Sequence, residues 1–388
     1  MRPATIAARH GIDADPAHGA VAPPLVLSAN FSFAGFAEKR SYDYTRSGNP
    51  TRDLLATALA ELEGGECAVV TATGLAAITL VLHLVRPGDL LVVPHDGYGG
   101  TWRLVDAYAR QARLEVLFVD QRDDAALAAA LARRPRLVWA ESPSNPLLRL
   151  VDLERLARLS HAAGALFAVD NTFLSPVLQN PLALGADLVV HSTTKYVNGH
   201  SDVVGGAVVA KQAGLGEHLA WWANALGLTG APFDSWLTLR GLRTLPLRMR
   251  QHEANAQHLA EALRAHAAVR VVHYPGLAEH PEHALARRQQ HGFGGMVAFE
   301  LADAAAVPRF LAGLRHFTLA ESLGGVESLI AHPATMTHAA MAPAARARAG
   351  IGDGLLRLSV GVEHVADLLA DLDAALQRCT GAASLSGP

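Results

Sequence analysis

The stretch Asp187-Leu-Val-Val-His-Ser-Thr-Thr-Lys-Tyr-Val-Asn-Gly-His-Ser201 joins an apolar strand to a polar loop that contains a lysine. The chain of 388 residues has only three lysines. Lys39 and Lys211 lie in sequence typical of a protein surface, whereas Lys195 follows the strand and has hydroxyl side chains beside it. A partly desolvated amine loses its proton and attacks carbonyl groups, which a guanidinium does not do. Lys195 is therefore a candidate Schiff-base lysine, and a solvated loop lysine is the alternative.

Apolar runs like the one before Lys195 recur along the first part of the chain. We predict seven strands, at Ala68–Thr71, Leu90–Val93, Leu114–Val119, Leu137–Glu141, Leu166–Asp170, Asp187–His191 and Ala207–Ala210. Helical patterns around 75–85, 100–111, 124–133 and 152–163 separate the first five. This alternation predicts an α/β fold with a mostly parallel seven-stranded sheet flanked by helices. Ligands bind at the carboxyl ends of such strands, where Glu141, Asp170 and His191 fall.

Changes in periodicity divide the chain into three predicted segments. Residues 1–50 show little periodicity and are expected to form an extended N-terminal arm. Residues 51–244 form the α/β domain, which opens with a helix at 51–62 that stops at two glycines. Residues 245–388 begin with a helix-rich region and continue with short strands near 270, 296 and 356. We expect this last segment to be a smaller C-terminal α+β domain.

The composition excludes several classes of protein. The net charge of −3 and the absence of basic runs argue against nucleic-acid and membrane partners. Cys67 and Cys379 form no disulfide framework, and His280 and His283 lie in a polar stretch expected to be solvated. The histidines lack metal-ligand spacing, so no metal is predicted. Without a signal segment or an apolar run of spanning length, we expect a cytoplasmic protein.

Two positions at strand ends suggest an anionic group and a cationic ring. Gly74 opens a helix after the first strand, where free N–H groups suit a phosphate, and Ser192 and Thr194 would add hydroxyl donors. Asp170 ends a buried-looking strand, where a carboxylate would hold a pyridinium nitrogen. Each residue also fits an ordinary role, as a strand-to-helix turn or a helix cap.

Other polar residues are candidates for contacts with a ring or an anion. Tyr98 lies in a glycine loop, where it would stack on a ring or relay a proton, or simply occupy a surface turn. Arg357 interrupts an alternating apolar strand, and its fork would bind a carboxylate unless it faces water at a sheet edge. Arg103 and Arg46 are further candidates for binding an anion, although each alone also fits a surface charge.

Taken together, these segments resemble the Cys/Met metabolism family of pyridoxal-phosphate-dependent enzymes, which have fold type I. Residues 187–201 match the family signature throughout. Further family-like segments are Tyr44–Thr51, Ser142–Pro146, Val169–Thr172 and Glu321–Ser328. The resemblance covers nearly the whole chain.

The resemblance implies pyridoxal 5'-phosphate as cofactor and assigns residues to it and to the substrate. Lys195 would carry the cofactor and move protons, and Tyr98 would stack on its ring. The implied cofactor-binding set is Tyr44, Arg46, Gly74, Leu75, Tyr98, Asp170, Thr172, Ser192, Thr194 and Lys195. The implied substrate-binding set is Asn145, Arg103, Glu321, Ser322 and Arg357. Tyr44 and Arg46 would serve a neighbouring subunit, which implies a homo-oligomer, by family likeness a tetramer. Leu75 departs from the methionine frequent there, and its backbone makes the contact.

Within the family, the chain is most similar to members that make L-cystathionine from an O-acylhomoserine and cysteine. O-succinyl-L-homoserine is the favoured substrate, and the product leads to methionine. The alternatives are a γ-lyase that cleaves cystathionine or methionine and a catalytically silent protein that retains the cofactor. Gly100 argues against a methionine γ-lyase, which tends to have cysteine there. Lys195, Tyr98 and Arg357 argue against a silent protein.

Overall fold

A seven-stranded sheet lies at the centre of the computed structural model, which describes residues 1–339 and 341–379. Its strands are β1 (Cys67–Thr71), β2 (Leu90–Pro94), β3 (Glu115–Val119), β4 (Leu137–Glu141), β5 (Leu166–Asp170), β6 (Leu188–His191) and β7 (Gly206–Ala210). Their order is β1-β7-β6-β5-β4-β2-β3, and β7 is antiparallel to both of its neighbours. The pairs from β6 to β3 are parallel. Each strand lies within one residue of its predicted bounds, and the predicted fold is confirmed.

Helices cover both faces of this sheet. They are α1 (Pro3–Arg9), α2 (Pro50–Glu63), α3 (Gly74–Leu82), α4 (Gly99–Arg110), α5 (Asp124–Ala132), α6 (Leu153–Ala162), α7 (Ser175–Leu178), α8 (Ala213–Leu226) and α9 (Pro232–Leu242). Successive strand residues point to opposite faces. Phe167 and Val189 pack in the layer that contains α2 and α6, whereas Ala168 and Val190 pack in the layer that contains α3, α4 and α8. The sheet therefore has a front face, toward α3, and a back face, toward α2.

The second part of the chain forms a smaller sheet with its own core. Its strands are β8 (Val269–His273), β9 (Met296–Leu301), β10 (Thr318–Leu319), β11 (Leu329–Ala331) and β12 (Leu355–Ser359), in the order β10-β11-β12-β9-β8. Its helices are α10 (Leu245–Ala265), α11 (His283–Gln289), α12 (Val307–Leu311), α13 (Pro343–Ala349) and α14 (Val365–Gln377), with a 3₁₀ turn at Ala304–Ala306. Strands near 270, 296 and 356 were predicted, whereas β10 and β11 were not. The predicted boundaries at 50 and 244 stay predictions, and the predicted end at 388 lies outside the described residues.

The N-terminal arm is not extended throughout. Residues 3–9 form α1, which contacts α2 and α10 and buries Ile6 and Ala7. Only the burial of this short apolar face stabilises so short a helix, and the sequence pattern does not reveal that contact. The rest of the arm has no helix up to Asn49, whose side chain caps α2 by accepting hydrogen bonds from the N–H groups of Thr51 and Arg52.

The histidines of the polar stretch 279–283 are less solvated than predicted. His280 is only 8% exposed, and burial lowers its pKa to about 4. His283 is half-buried and hydrogen-bonds the Pro275 carbonyl through Nδ1 at 2.7 Å. The prediction was wrong because polar neighbours in sequence do not reveal how a turn packs onto the rest of the fold.

Neither a metal cluster nor a spanning helix occurs in the part of the chain that the structure describes. Over residues 1–339 and 341–379, no three His, Cys, Asp or Glu side chains come together in a way that could hold a metal ion. Within the same ranges, each helix is too short or too polar to cross a bilayer.

Candidate active site

A cavity of about 580 Å³ opens at the carboxyl ends of β4, β5 and β6, between the two sheets. Thirteen of the fifteen predicted site residues line it: Gly74, Leu75, Tyr98, Arg103, Asn145, Asp170, Thr172, Ser192, Thr194, Lys195, Glu321, Ser322 and Arg357. They come from widely separated parts of the chain. The fold thus brings together both the predicted cofactor set, apart from Tyr44 and Arg46, and the predicted substrate set.

Lys195 lies in a tight turn that directs its amine into the cavity. Its N–H donates to the Ser192 carbonyl at 3.1 Å, and its carbonyl accepts from the N–H of Gly199 at 2.8 Å. The amine donates to Ser322 Oγ at 2.7 Å. Burial, assisted by the positive charge of Arg357, lowers the pKa of Lys195 to about 8. The amine therefore has a substantial neutral fraction near neutral pH, as a nucleophile and proton carrier requires.

The amino end of α3 suits a phosphate. Thr73 caps the helix by accepting a hydrogen bond from the Ala76 N–H, and the helix dipole there attracts an anion. A Cβ at Gly74 would lie 2.8 Å from the Ser192 Cβ, so only glycine allows this close approach. Ser192 and Thr194 line the same part of the cavity. Backbone N–H groups and hydroxyls thus converge where the phosphate of the implied cofactor would bind.

Two buried carboxylates, Glu141 and Asp170, end adjacent strands and lie in register. Asp170 Oδ1 accepts a hydrogen bond from the Thr172 N–H at 3.0 Å. Burial raises its pKa, while the Thr172 hydrogen bonds and the charge of His191 oppose that rise. Within the described ranges, no basic side chain forms an ion pair with Asp170. A protonated ring nitrogen would supply the missing partner, so this carboxylate fits the implied cofactor.

Glu141 is a site residue to which the sequence assigned no role. Its Oε2 accepts a hydrogen bond from the Tyr98 N–H at 2.7 Å and so fixes the start of α4. Burial, together with the charge of Asp170, raises its pKa well above the usual value. The phenol of Tyr98 lines the cavity, and burial raises its pKa too. The sequence feature that could have identified Glu141 is its position, because it is the last residue of a predicted strand, as Asp170 is.

Arg357 is a buried cation that is positioned to bind an anion. It lies on β12 between β9 and β11 and is only 2% exposed, so the edge-strand alternative is wrong. Its guanidinium donates to Asn145 Oδ1 and to the Ser322 carbonyl, both at 2.9 Å, while Nε has no hydrogen-bond partner among the described residues. Burial lowers its pKa to about 10, which leaves it charged at neutral pH. No acidic side chain of residues 1–339 and 341–379 pairs with it, so a substrate carboxylate fits there.

Arg103 and Glu321 line the more exposed part of the cavity. Arg103 lies in α4, one turn after Tyr98, and its charge acts to lower the pKa of the Tyr98 phenol. The negative charge of Glu321 raises the pKa of Lys195 and so opposes the lowering caused by burial and by Arg357. Both residues therefore influence the site from its solvent side, where the distal part of a substrate would lie.

Tyr44 and Arg46 do not reach this cavity within one chain. They line a second cavity of about 390 Å³, and Val204 borders both cavities. The guanidinium of Arg46 lies over the ring of Tyr44 at 5.3 Å and donates to Asn224 Oδ1 at 3.0 Å. The expectation that they serve a neighbouring subunit therefore stays a prediction.

His191 ends a strand but does not line the cavity. Because side chains alternate along β6, it points to the back face with Val189, while Val190 faces the cavity. A different histidine, His338, supports the site instead. It is buried, and its Nε2 donates to the Asn145 carbonyl at 3.0 Å. In the sequence, His338 was one of the histidines that lack metal-ligand spacing, and no role in the site was predicted for it.

Comparisons with known proteins agree with this geometry. The model of the Cys/Met metabolism PLP-dependent enzyme family matches residues 4–377. Cystathionine γ-synthase of Escherichia coli K12 is 58% identical over 372 residues, which cover 95% of this chain and 96% of that protein.

Solved structures of relatives have the same fold. Cystathionine γ-synthase of Xanthomonas oryzae pv. oryzae, solved with aminoacrylate and cysteine and with cystathionine, is 64% identical, with a TM-score of 0.97. The match covers 98% of this chain and 99% of that one. Cystathionine γ-lyase of Lactobacillus plantarum, solved with L-serine, is 42% identical, with a TM-score of 0.94, and the match covers 98% of this chain and all of that one. This chain therefore belongs to the Cys/Met metabolism PLP-dependent enzyme family, and its cofactor is pyridoxal 5'-phosphate.

Proposed function

We propose that this chain catalyses the cystathionine γ-synthase reaction. The Cγ–O bond of O-succinyl-L-homoserine breaks, succinate leaves, and the sulfur of L-cysteine forms a new bond to Cγ, which gives L-cystathionine. One observation carries the proposal. Lys195 Nζ and the Arg357 guanidinium both contact Ser322, at 2.7 and 2.9 Å. A proton carrier and a carboxylate anchor thus flank the position of an amino-acid Cα.

The residues of the site have separate roles in this reaction. Pyridoxal phosphate, when bound, supplies an electron sink for the electrons left when a substrate carbon loses its proton. Lys195 Nζ would take the proton from Cα and then serve at Cβ, because its lowered pKa suits both uptake and release. Arg357, with Asn145 and Ser322, would hold the α-carboxylate throughout. Asp170 would hold the ring nitrogen of the cofactor in its protonated form.

The nearest alternative is a γ-lyase, because the Lactobacillus relative has almost the same fold. The higher identity to γ-synthases favours the replacement reaction. Gly100 argues only against a methionine γ-lyase. A competition assay separates the two. The enzyme is given O-succinylhomoserine with cysteine, or cystathionine alone, and products are measured. We expect cystathionine to accumulate faster than it is cleaved. Release of cysteine and 2-oxobutanoate from cystathionine as the main activity would favour the lyase, and no turnover would favour a silent protein.

We propose that Arg103 binds the succinyl carboxylate of the substrate. It is an exposed cation in the lining of the cavity, whereas Arg357 is buried. Loss of a charge-assisted contact costs about tenfold or more in kcat/KM. Arg103→Ala should therefore impair O-succinylhomoserine more than O-acetylhomoserine, which lacks the second carboxylate. Arg110→Ala, on the same helix in an exposed pair with Asp106, is the control. An equal loss for both substrates would contradict this role.

We further propose that the active unit is at least a dimer, and by family likeness a tetramer, in which Tyr44 and Arg46 complete a neighbour's site. The exposed side chains Leu27, Tyr44 and Trp221 support a contact surface near the arm. Arg46→Ala and Lys195→Ala subunits should each be poorly active. Refolded together, they should regain part of the activity, because some sites obtain both intact residues from different chains. No recovery in verified mixed oligomers would contradict a shared site.

A further inference from the structure

A cluster of buried polar residues lies on the back face of the large sheet, behind the cavity. Glu63, Asn171, Gln179 and His191 are 2%, 1%, 0% and 0% exposed. None of them lines the cavity of about 580 Å³. Polar groups at such depth are costly unless they are satisfied, so this cluster requires an explanation beyond core packing.

A single oxygen joins the ends of two strands within this cluster. Glu63 Oε1 accepts hydrogen bonds from His191 Nε2 at 2.6 Å and from Asn171 Nδ2 at 2.9 Å. His191 ends β6, and Asn171 follows β5. On the opposite face, the residue after His191 is Ser192 and the residue before Asn171 is Asp170. Both of these line the cavity.

Gln179 extends the cluster to a third strand. Its Nε2 donates to Asn171 Oδ1 at 3.0 Å and to the carbonyl of Ser142, which follows β4, at 2.8 Å. In return, Asn171 Nδ2 donates to the Gln179 carbonyl at 2.7 Å. The back-face hydrogen bonds therefore fix the carboxyl ends of β4, β5 and β6 relative to one another.

The cluster is poorly arranged for stability alone. Glu63 is the last residue of α2, where a carboxylate opposes the negative end of the helix dipole. Glu63 Oε2 and His191 Nδ1 are both buried and have no hydrogen-bond partner among the residues that the structure describes. A buried polar pair of this kind is weak evidence for stabilisation, since well-packed apolar residues often do as well. The cluster is better explained by the strand ends that its hydrogen bonds hold in place.

We propose that Glu63 is a positioning residue for the cofactor, which it orients through His191 and Asn171. By fixing the two strand ends from behind, it sets the spacing between Asp170, which would meet the ring nitrogen, and Ser192, which would meet the phosphate. This role rests on the proposed functions of those two residues. Glu63 touches neither cofactor nor substrate.

The same two strands provide a matched control at their amino ends. Asp187 Oδ2 accepts hydrogen bonds from His161 Nε2 at 2.9 Å and from the Phe167 N–H at 2.8 Å. This carboxylate also joins β5 to β6 through two donors, one of them a histidine. It lies at the end of the strands away from the cavity, so Asp187→Ala removes two bonds between the same strands, although more exposed ones, without affecting the spacing of Asp170 and Ser192.

The test uses the full chain and measures cofactor affinity as well as turnover. Glu63→Ala should raise the Kd of the apoprotein for pyridoxal 5'-phosphate about tenfold, the factor expected for a lost buried hydrogen bond to a charged group. At saturating cofactor, kcat should also fall about tenfold while the substrate KM stays within about twofold, since Arg357 is untouched. Asp187→Ala should lower the melting temperature but leave the cofactor Kd within about twofold.

Two results would overturn the proposal. One is a Glu63→Ala protein whose cofactor Kd equals that of the wild type, and the other is an equal rise in Kd for Glu63→Ala and Asp187→Ala. If Glu63→Ala does not fold, Glu63→Met decides, because its side chain fills a similar space but has no oxygen to accept the two bonds. A cofactor Kd within about twofold of wild type for that variant would then reject the proposal. Glu63→Gln, whose amide oxygen still accepts both bonds, should keep the cofactor Kd within about twofold of wild type. If the wild type fails to bind cofactor at Lys195, the proposed function itself fails, which is a separate outcome.

Discussion

The two halves of the cavity are built in different ways. The half expected to hold the cofactor comes from consecutive strand ends of one sheet, where Asp170, Ser192 and Lys195 follow β5 and β6. The half expected to hold the substrate comes from separate segments. Arg357 on the small sheet meets Asn145 from the loop after β4 and Ser322 from the loop after β10. The first half depends on strand order within one sheet, and the second on how the small sheet is placed against the large one.

This difference predicts different consequences of mutation. Residues of the cofactor half are supported by their own strands, so a change there should alter chemistry and leave the substrate anchor intact. The guanidinium of Arg357 contacts Asn145 and Ser322 from distant segments, so a change there should weaken substrate use and leave the cofactor bound.

Lys195→Ala should have the largest effect, since it removes the proposed proton carrier of the cofactor half. Loss of general acid–base catalysis alone lowers turnover by about 10²–10⁴-fold. The phosphate contacts around Gly74 should still retain the cofactor, which absorbance will measure alongside cystathionine formation. Lys211→Ala, on an exposed residue, is the control. Borohydride reduction of the wild type should label Lys195, and a label on Lys39 or Lys211 would refute the assignment.

Arg357→Gln should lower kcat/KM about 10²-fold, because charge-assisted hydrogen bonds to the α-carboxylate contribute roughly 1.5–3 kcal/mol each. Cofactor absorbance should stay unchanged, because the residue belongs to the substrate half. The control is Arg270→Gln on the same small sheet, where the exposed guanidinium pairs with Glu300. Loss of cofactor from Arg357→Gln would show that the two halves are not separable.

Asp170→Asn should slow turnover at least about tenfold, because a charge-assisted hydrogen bond to the ring nitrogen is lost. The amide keeps the size of the side chain, so the protein should fold and bind substrate as before. Steady-state kinetics with O-succinylhomoserine and cysteine, together with circular dichroism, will check both points. Turnover near the wild-type rate would mean that this carboxylate does not face the ring nitrogen.

The smallest effect concerns pH. The pKa of Lys195 is lowered to about 8, first by burial and then by the charge of Arg357. Only the neutral amine attacks the cofactor aldehyde, so capture of pyridoxal phosphate by the apoprotein should speed up as pH rises through about 8. Stopped-flow absorbance will measure the midpoint. In Arg357→Gln the midpoint should move upward, because a neighbouring cation is removed, and a downward shift would contradict this electrostatic link between the halves.

The strands of the large sheet were predictable because each is a short, continuous apolar run bounded by turn residues. Such runs mark strands that are buried on both faces, as β4 to β7 are. The strands β10 and β11, of two and three residues, are too short to show a period. The short helix α1 is likewise visible only through the contacts that bury Ile6 and Ala7.

The sequence by itself determined the class of fold and most members of the candidate site, because strand ends carry their functional residues in a local pattern. Lys195, Asp170 and Gly74 were candidates from the residues beside them, each with an ordinary alternative, and the family resemblance gave them their expected roles. Only the tertiary structure decided which face His191 uses, that Glu141 supports Tyr98, and that Arg357 is buried with no acidic partner in the part of the chain that the structure describes. These facts depend on side chains that are distant in sequence, and the energy of a buried charge is set by its three-dimensional surroundings and not by its neighbours along the chain.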